Sequence, residues 1–68
     1  MAGMAGTEMT PDEWVTRITE AAADRVAWGY AYSLTPRMRT AVADLLHVEW
    51  EGHGKSVVCR AIVAEARA

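Results

Sequence analysis

His47, Glu49, Glu51, His53 and Cys59 are the densest gathering of chemically capable side chains in the sequence. Zinc accepts imidazole, thiolate and carboxylate in a tetrahedron, but the spacing of these five residues matches no zinc-binding pattern. Two surface histidines and a small buried thiol account for them as well, and no metal or other cofactor is expected. Gly54-Lys55-Ser56 has the ending of a phosphate-binding loop. That motif needs a glycine five positions before its second one, where this chain has Glu49, and a strand leading into it. What is left is a helix start whose free amides, with Lys55 and Ser56 beside them, can contact an anion; a plain interhelical turn is the commoner outcome. Arg37, Arg39 and Arg60 join Lys55 and Ser56 as candidate phosphate contacts if the helices carrying them lie together. No nucleophile, base and acid occur as a set, and so short a chain encloses a substrate pocket with difficulty. An enzyme is not expected.

The elements that would hold these residues read as helices. Thr10-Pro11-Asp12-Glu13 is a capping box: Thr10 as N-cap, Pro11 in the first helical position and Glu13 three residues after the cap. Trp14, Val15, Ile18, Ala21, Ala22 and Val26 then recur at helical spacing. The stretch from Val26 to Leu34 also alternates in the manner of a strand, with Trp28, Tyr30 and Tyr32 on one side. Thr35 and Pro36 repeat the start signal, and Gly52 can end a helix in the left-handed conformation. Between these marks Met38, Ala41, Val42, Leu45, Leu46, Val48 and Trp50 would cover an arc of roughly 200°, about twice what a single-sided surface helix needs. Val58, Cys59, Ile62, Val63 and Ala66 share the face of a last helix. The expected class is therefore all-α, a small three-helix domain with helices at about Pro11–Tyr32, Thr35–Glu51 and Lys55–Arg67. The alternative is α+β, with a strand at about 26–34 and a hairpin around 48–59. Residues 1–9 read as a disordered tail and 10–68 as one domain.

Sixty-eight residues with one cysteine allow no intrachain disulfide, and so small a lone copy is marginally stable. Self-association is one remedy. The apolar fraction of 51% fits a folded domain rather than a disordered one. A net charge of −2 does not favour general attraction to nucleic acid or to an anionic membrane. No apolar run approaches the ~18 residues of a membrane span, and no secretory signal is visible, so the cytoplasm is the expected compartment.

Leu34-Thr35-Pro36-Arg37 resembles the opening of the helix-turn-helix output domains of bacterial response regulators. The shape of Leu34 to Glu49 is also similar to the last DNA-binding region of sigma factors. In both families a short turn leads into a pair of helices, the second of which reads the major groove. Here there is room for only one helix after Gly52, so the resemblance lacks its recognition helix.

Together these features point to a small interaction or regulatory module acting through apolar helix surfaces, on a second copy of itself as a homodimer or on a larger protein. The alternative is a helix-turn-helix-like DNA-binding transcriptional regulator. Trp28, Tyr30, Tyr32 and Trp50 are the candidate anchors, because Trp and Tyr dominate binding hot spots. Arg25 and Glu49 each fall at the centre of an apolar arc on their expected helices. Since lone buried charges are costly, each is expected to reach water or find a partner: either Arg25 snorkels to the surface and Glu49 lies in a fraying last turn, or the two meet across a dimer.

Overall fold

The computed structural model describes residues 9–68, which form four α-helices and no strand: α1 (Pro11–Glu20), α2 (Asp24–Ser33), α3 (Pro36–Leu45) and α4 (Lys55–Ala66). The all-α class holds, with four helices in place of three. The α+β alternative is overturned: residues 26–33 lie within α2 and residues 57–59 within α4. Of the expected tail, residues 1–8 lie outside the described residues.

α1 begins as its sequence dictates. The Glu13 amide donates to Thr10 Oγ1 at 3.2 Å, and the Thr10 amide donates to Glu13 Oε1 at 2.8 Å. Two of the amides that a helix start leaves without partners are thereby satisfied. Thr10→Ala is expected to lower stability by about 0.5–2 kcal/mol, read as a shift in the midpoint of urea denaturation at constant slope.

The expected first helix, Pro11–Tyr32, is broken after Glu20. Ala21 leaves helical geometry with ψ 142°, and Ala23 caps α2 from an extended conformation with φ −149° and ψ 157°. Nothing in Ala21-Ala22-Ala23 disfavours a helix, alanine being the strongest helix former. The break has a tertiary cause. Arg67, just past α4, places Nη1 3.0, 3.2 and 2.9 Å from the carbonyl oxygens of Ile18, Thr19 and Ala21. Its Nε donates to Asp24 Oδ1 at 2.9 Å, and Thr19 Oγ1 donates to the Ala66 carbonyl at 3.1 Å. A cation at the carbonyl end of α1 also matches the helix dipole. The break re-phases α2 relative to α1, and Arg25, expected on the buried arc, is exposed as a result.

α3 starts on the expected signal, with the Met38 amide donating to Thr35 Oγ1 at 3.2 Å. It ends at Leu45, well short of the expected Glu51. The Val48 amide reaches back to the Ala43 carbonyl at 2.8 Å and the His47 amide to the Asp44 carbonyl at 3.1 Å, while His47 adopts φ 59°. This is a Schellman ending with histidine where glycine is usual. Reversing there lets the extended chain beyond it alternate: Val48 and Trp50 turn inward, whereas His47, Glu49 and Glu51 face water. Glu49 is thus exposed and belongs to no helix. Gly52, with φ 81°, serves a turn closed by the His53 amide on the Trp50 carbonyl at 3.0 Å rather than a helix end. Because a left-handed conformation costs an L-residue about 1–2 kcal/mol, His47→Gly is expected to raise stability by about 0.5–1 kcal/mol after the added flexibility of the unfolded chain is counted. Thermal unfolding of the two proteins side by side checks this.

α1 and α4 each pack against the other three helices, so they form the centre of the fold, with α2 and α3 at its sides. The core is Ile18, Ala27, Ala31, Leu34, Val42, Ala43, Val58, Cys59, Ile62 and Val63. The small residues Ala27 and Ala31 let α4 come close to the α2 backbone, and Cys59 Sγ lies 3.4 Å from the Ala31 carbonyl oxygen. Every Trp and Tyr ring lies outside this buried set.

Candidate functional site

The residues named for anion contact divide between two surfaces. Arg37 and Arg39 stand two positions apart on α3, hence about 200° apart around it. Arg37 is exposed, whereas Arg39 is half-buried with its Nε enclosed and without an acceptor. Arg39, on α3, and Lys55, at the first position of α4, both draw the Cys59 thiol down against the effect of burial. Lys55 holds its ammonium 5.7 Å from the centre of the Tyr32 ring, within cation–π range. Ser56 and Arg60 are exposed on other sides of α4. Arg37 and Arg39 thus point to different sides of α3, so the five candidates do not all share one face.

Cys59 is fully buried among these groups. Burial pushes its thiol above the usual value, and the charges of Arg39 and Lys55 draw it partly back. A thiol held neutral is a poor nucleophile. The native protein is therefore expected to react with a disulfide reagent at least about tenfold more slowly than urea-unfolded protein. Because the folded state disfavours the thiolate, the contribution of Cys59 to stability is complete below roughly pH 8.5 and is lost as pH rises toward the raised folded value. Cys59→Ala should remove that component of the pH profile.

The aromatic candidates are largely committed to packing. Trp28 stacks on Tyr32, with ring centres 5.7 Å apart and planes at 28°. Trp14 meets the edge of Tyr30 at 6.2 Å. Trp50 is half-buried and donates from Nε1 to Asp44 Oδ1 at 2.7 Å, which pins the loop between α3 and α4 back onto α3. Tyr32, 37% exposed, is the one of the four that reaches solvent substantially. Arg25 and Glu49 are both exposed, so the reason for pairing them across a dimer falls away.

Two hollows lie on the surface. One is an open groove along α1 and α2, about 620 Å³ in volume, floored by Ala21, Ala22 and Val26 and edged by Asp12, Glu13, Arg17 and Glu20. The other is the outward side of α3, where Leu45 is 46% exposed beside Ala41, Arg37 and Asp44. Among the described residues no three His, Cys, Asp or Glu side chains converge to hold a metal ion, and His47, Glu49, Glu51, His53 and Cys59 are not brought together. Nor is any described helix long and apolar enough to cross a membrane. Comparison with protein families, with curated proteins and with solved structures found no match.

Proposed function

We propose that this chain is a non-catalytic interaction module of the cytoplasm, acting through exposed helix surfaces and associating with a second copy of itself. The observation that carries the reading is the outward side of α3, where a large apolar side chain, Leu45, lies beside the small Ala41 in a hollow with charged edges. Helices recognise one another through this combination of apolar contact, small residues that permit close approach, and charges that fix orientation. The groove along α1 and α2 offers a second surface of similar character, suited to a helix from a larger partner.

The DNA-binding alternative has less support. Nine residues, 46–54, separate α3 from α4, whereas a helix-turn-helix joins its pair through three or four. Arg37 and Arg39, two of its candidate phosphate contacts, point to different sides of α3.

Sedimentation equilibrium from about 10 µM to about 1 mM, the affinity range of small interfaces, tests self-association. The apparent mass is expected to climb from one copy toward two across that range. A mass that stays at one copy throughout removes the proposal.

A further inference from the structure

The outward side of α3 carries its own complement. At 100° per residue, Arg37, Ala41 and Asp44 fall within an arc of about 60°, turned away from the buried Val42 and Ala43. Thr40 flanks this stripe on one side and Leu45 on the other. Three shallow depressions share Ala41, two of them bordered also by Pro11 of α1. The two charges of the stripe are opposite in sign and seven residues apart, with the smallest side chain between them.

Resting on the self-association reading above, we infer that α3 of one copy lies antiparallel against α3 of a second copy, about a two-fold axis passing between Thr40 and Ala41. That axis sets Arg37 of each copy opposite Asp44 of the other, Thr40 opposite Ala41, and Leu45 opposite Pro36. One surface serves both copies, as a two-fold interface requires. The register follows from the charges. Arg39 points inward, so Arg37 and Asp44 are the charges α3 presents outward, and moving the axis along the helix would leave both without partners. Thr40 and Ala41 at the crossing let the helix axes approach to about 8 Å, the close end of helix packing distances. Leu45 gains apolar cover from Pro36 of the second copy. Pro11 and Asp12, which border the same depression as Ala41 and Leu45, widen the contact at its flank.

Asp44 is prepared for this role. Its Oδ1 already accepts the Trp50 indole N–H at 2.7 Å, which fixes the carboxylate and leaves Oδ2 free to accept from a guanidinium. A carboxylate held in place loses less freedom on forming an ion pair than one that swings in solvent. Among the described residues Arg37 has no ion-pair partner within its own copy.

Sedimentation equilibrium on four samples tests the pairing: wild type, Arg37→Asp, Asp44→Arg, and an equimolar mixture of the two variants. Arg37→Asp sets like charges against each other twice per pair, so its self-association is expected to weaken by about tenfold or more. An acidic residue in the first turn of α3 is favourable for the helix itself, so this loss cannot be put down to unfolding, and circular dichroism should be unchanged. Asp44→Arg should weaken self-association to a similar degree through two guanidinium–guanidinium pairs. In the mixture each variant supplies what the other lacks, and association should return to within about threefold of the wild type. Wild-type protein that stays a single copy up to about 1 mM overturns both this pairing and self-association. Wild type that dimerises while Arg37→Asp dimerises equally well, or a mixture no tighter than its components, overturns the α3 pairing and leaves self-association standing.

Discussion

Replacing Arg67 with alanine is expected to lower stability by about 2–4 kcal/mol, a large loss for a side chain so near the end of α4. The side chain is 21% exposed, and its guanidinium contacts the carbonyl oxygens of Ile18, Thr19 and Ala21 as well as Asp24. Two of those carbonyls, of Ile18 and Thr19, belong to the last turn of α1, where no intrahelical donor exists. Truncation leaves them to whatever water can reach, and it removes a cation from the negative end of the α1 dipole. The ion pair itself contributes little, because Asp24 is 79% exposed and such pairs are worth about 0–1 kcal/mol. Asp24→Ala should therefore cost less than about 1 kcal/mol. Arg67→Lys should recover only part of the loss, since one ammonium cannot reproduce the fork of donors. Urea denaturation of the three variants gives the ranking. An Arg67→Ala protein within about 0.5 kcal/mol of wild type, the scatter of ordinary surface changes, would show that α4 is held by its apolar face alone.

The apolar face of α4 supplies the second large effect. Ile62 is fully buried in the core that α4 shares with the other three helices. Ile62→Ala is expected to cost about 2–5 kcal/mol, the lost burial plus the cavity left behind. Val57, on the same helix, is 54% exposed, and Val57→Ala should stay within about 0.5 kcal/mol of wild type. The pair of measurements reads out the rotation of α4 directly, because a helix turned by a third of a revolution would reverse their order.

What the sequence made legible was local. The capping box at Thr10, the Thr35-Pro36 start, the apolar face of α4 and the burial of Cys59 all depend on residues within a turn or two of one another, and all are present as expected. What it concealed was set at long range. Arg67 reaches carbonyls 46–49 residues earlier in the chain, and nothing in the neighbourhood of either end announces the meeting. The early end of α3 was hidden for another reason. Gly52 stood out as the residue suited to a left-handed ending, and His47 took that conformation instead because stopping there turns Val48 and Trp50 inward. A helical arc of roughly 200° is also what a short helix followed by an alternating extended segment produces when both are plotted at 100° per residue. The same misreading of phase placed Arg25 and Glu49 in the interior. The outward side of α3 was visible only as the part of the wide arc that holds Ala41 and Leu45; its two charges, Arg37 and Asp44, look like ordinary solvated surface until the shape around Ala41 is known.

The bend at Ala21-Ala22-Ala23 is conditional. Its three residues belong, by intrinsic preference, to the helices on either side, and what keeps them out is the grip of Arg67 and of the Ala66 carbonyl on the end of α1. With α4 undocked altogether, and not merely Arg67 truncated, the balance tips the other way: residues 11–33 can run on as one straight rod of about six turns, with Trp14 carried away from Tyr30. The junction then behaves as a latch with two positions, bent while α4 is docked and straight when it is not. Partial opening of the molecule would accordingly gain helix at these three alanines while losing tertiary contacts. Amide hydrogen exchange would see it as protection that appears at Ala22 and Ala23 under mild denaturant, in the same window where the core begins to loosen.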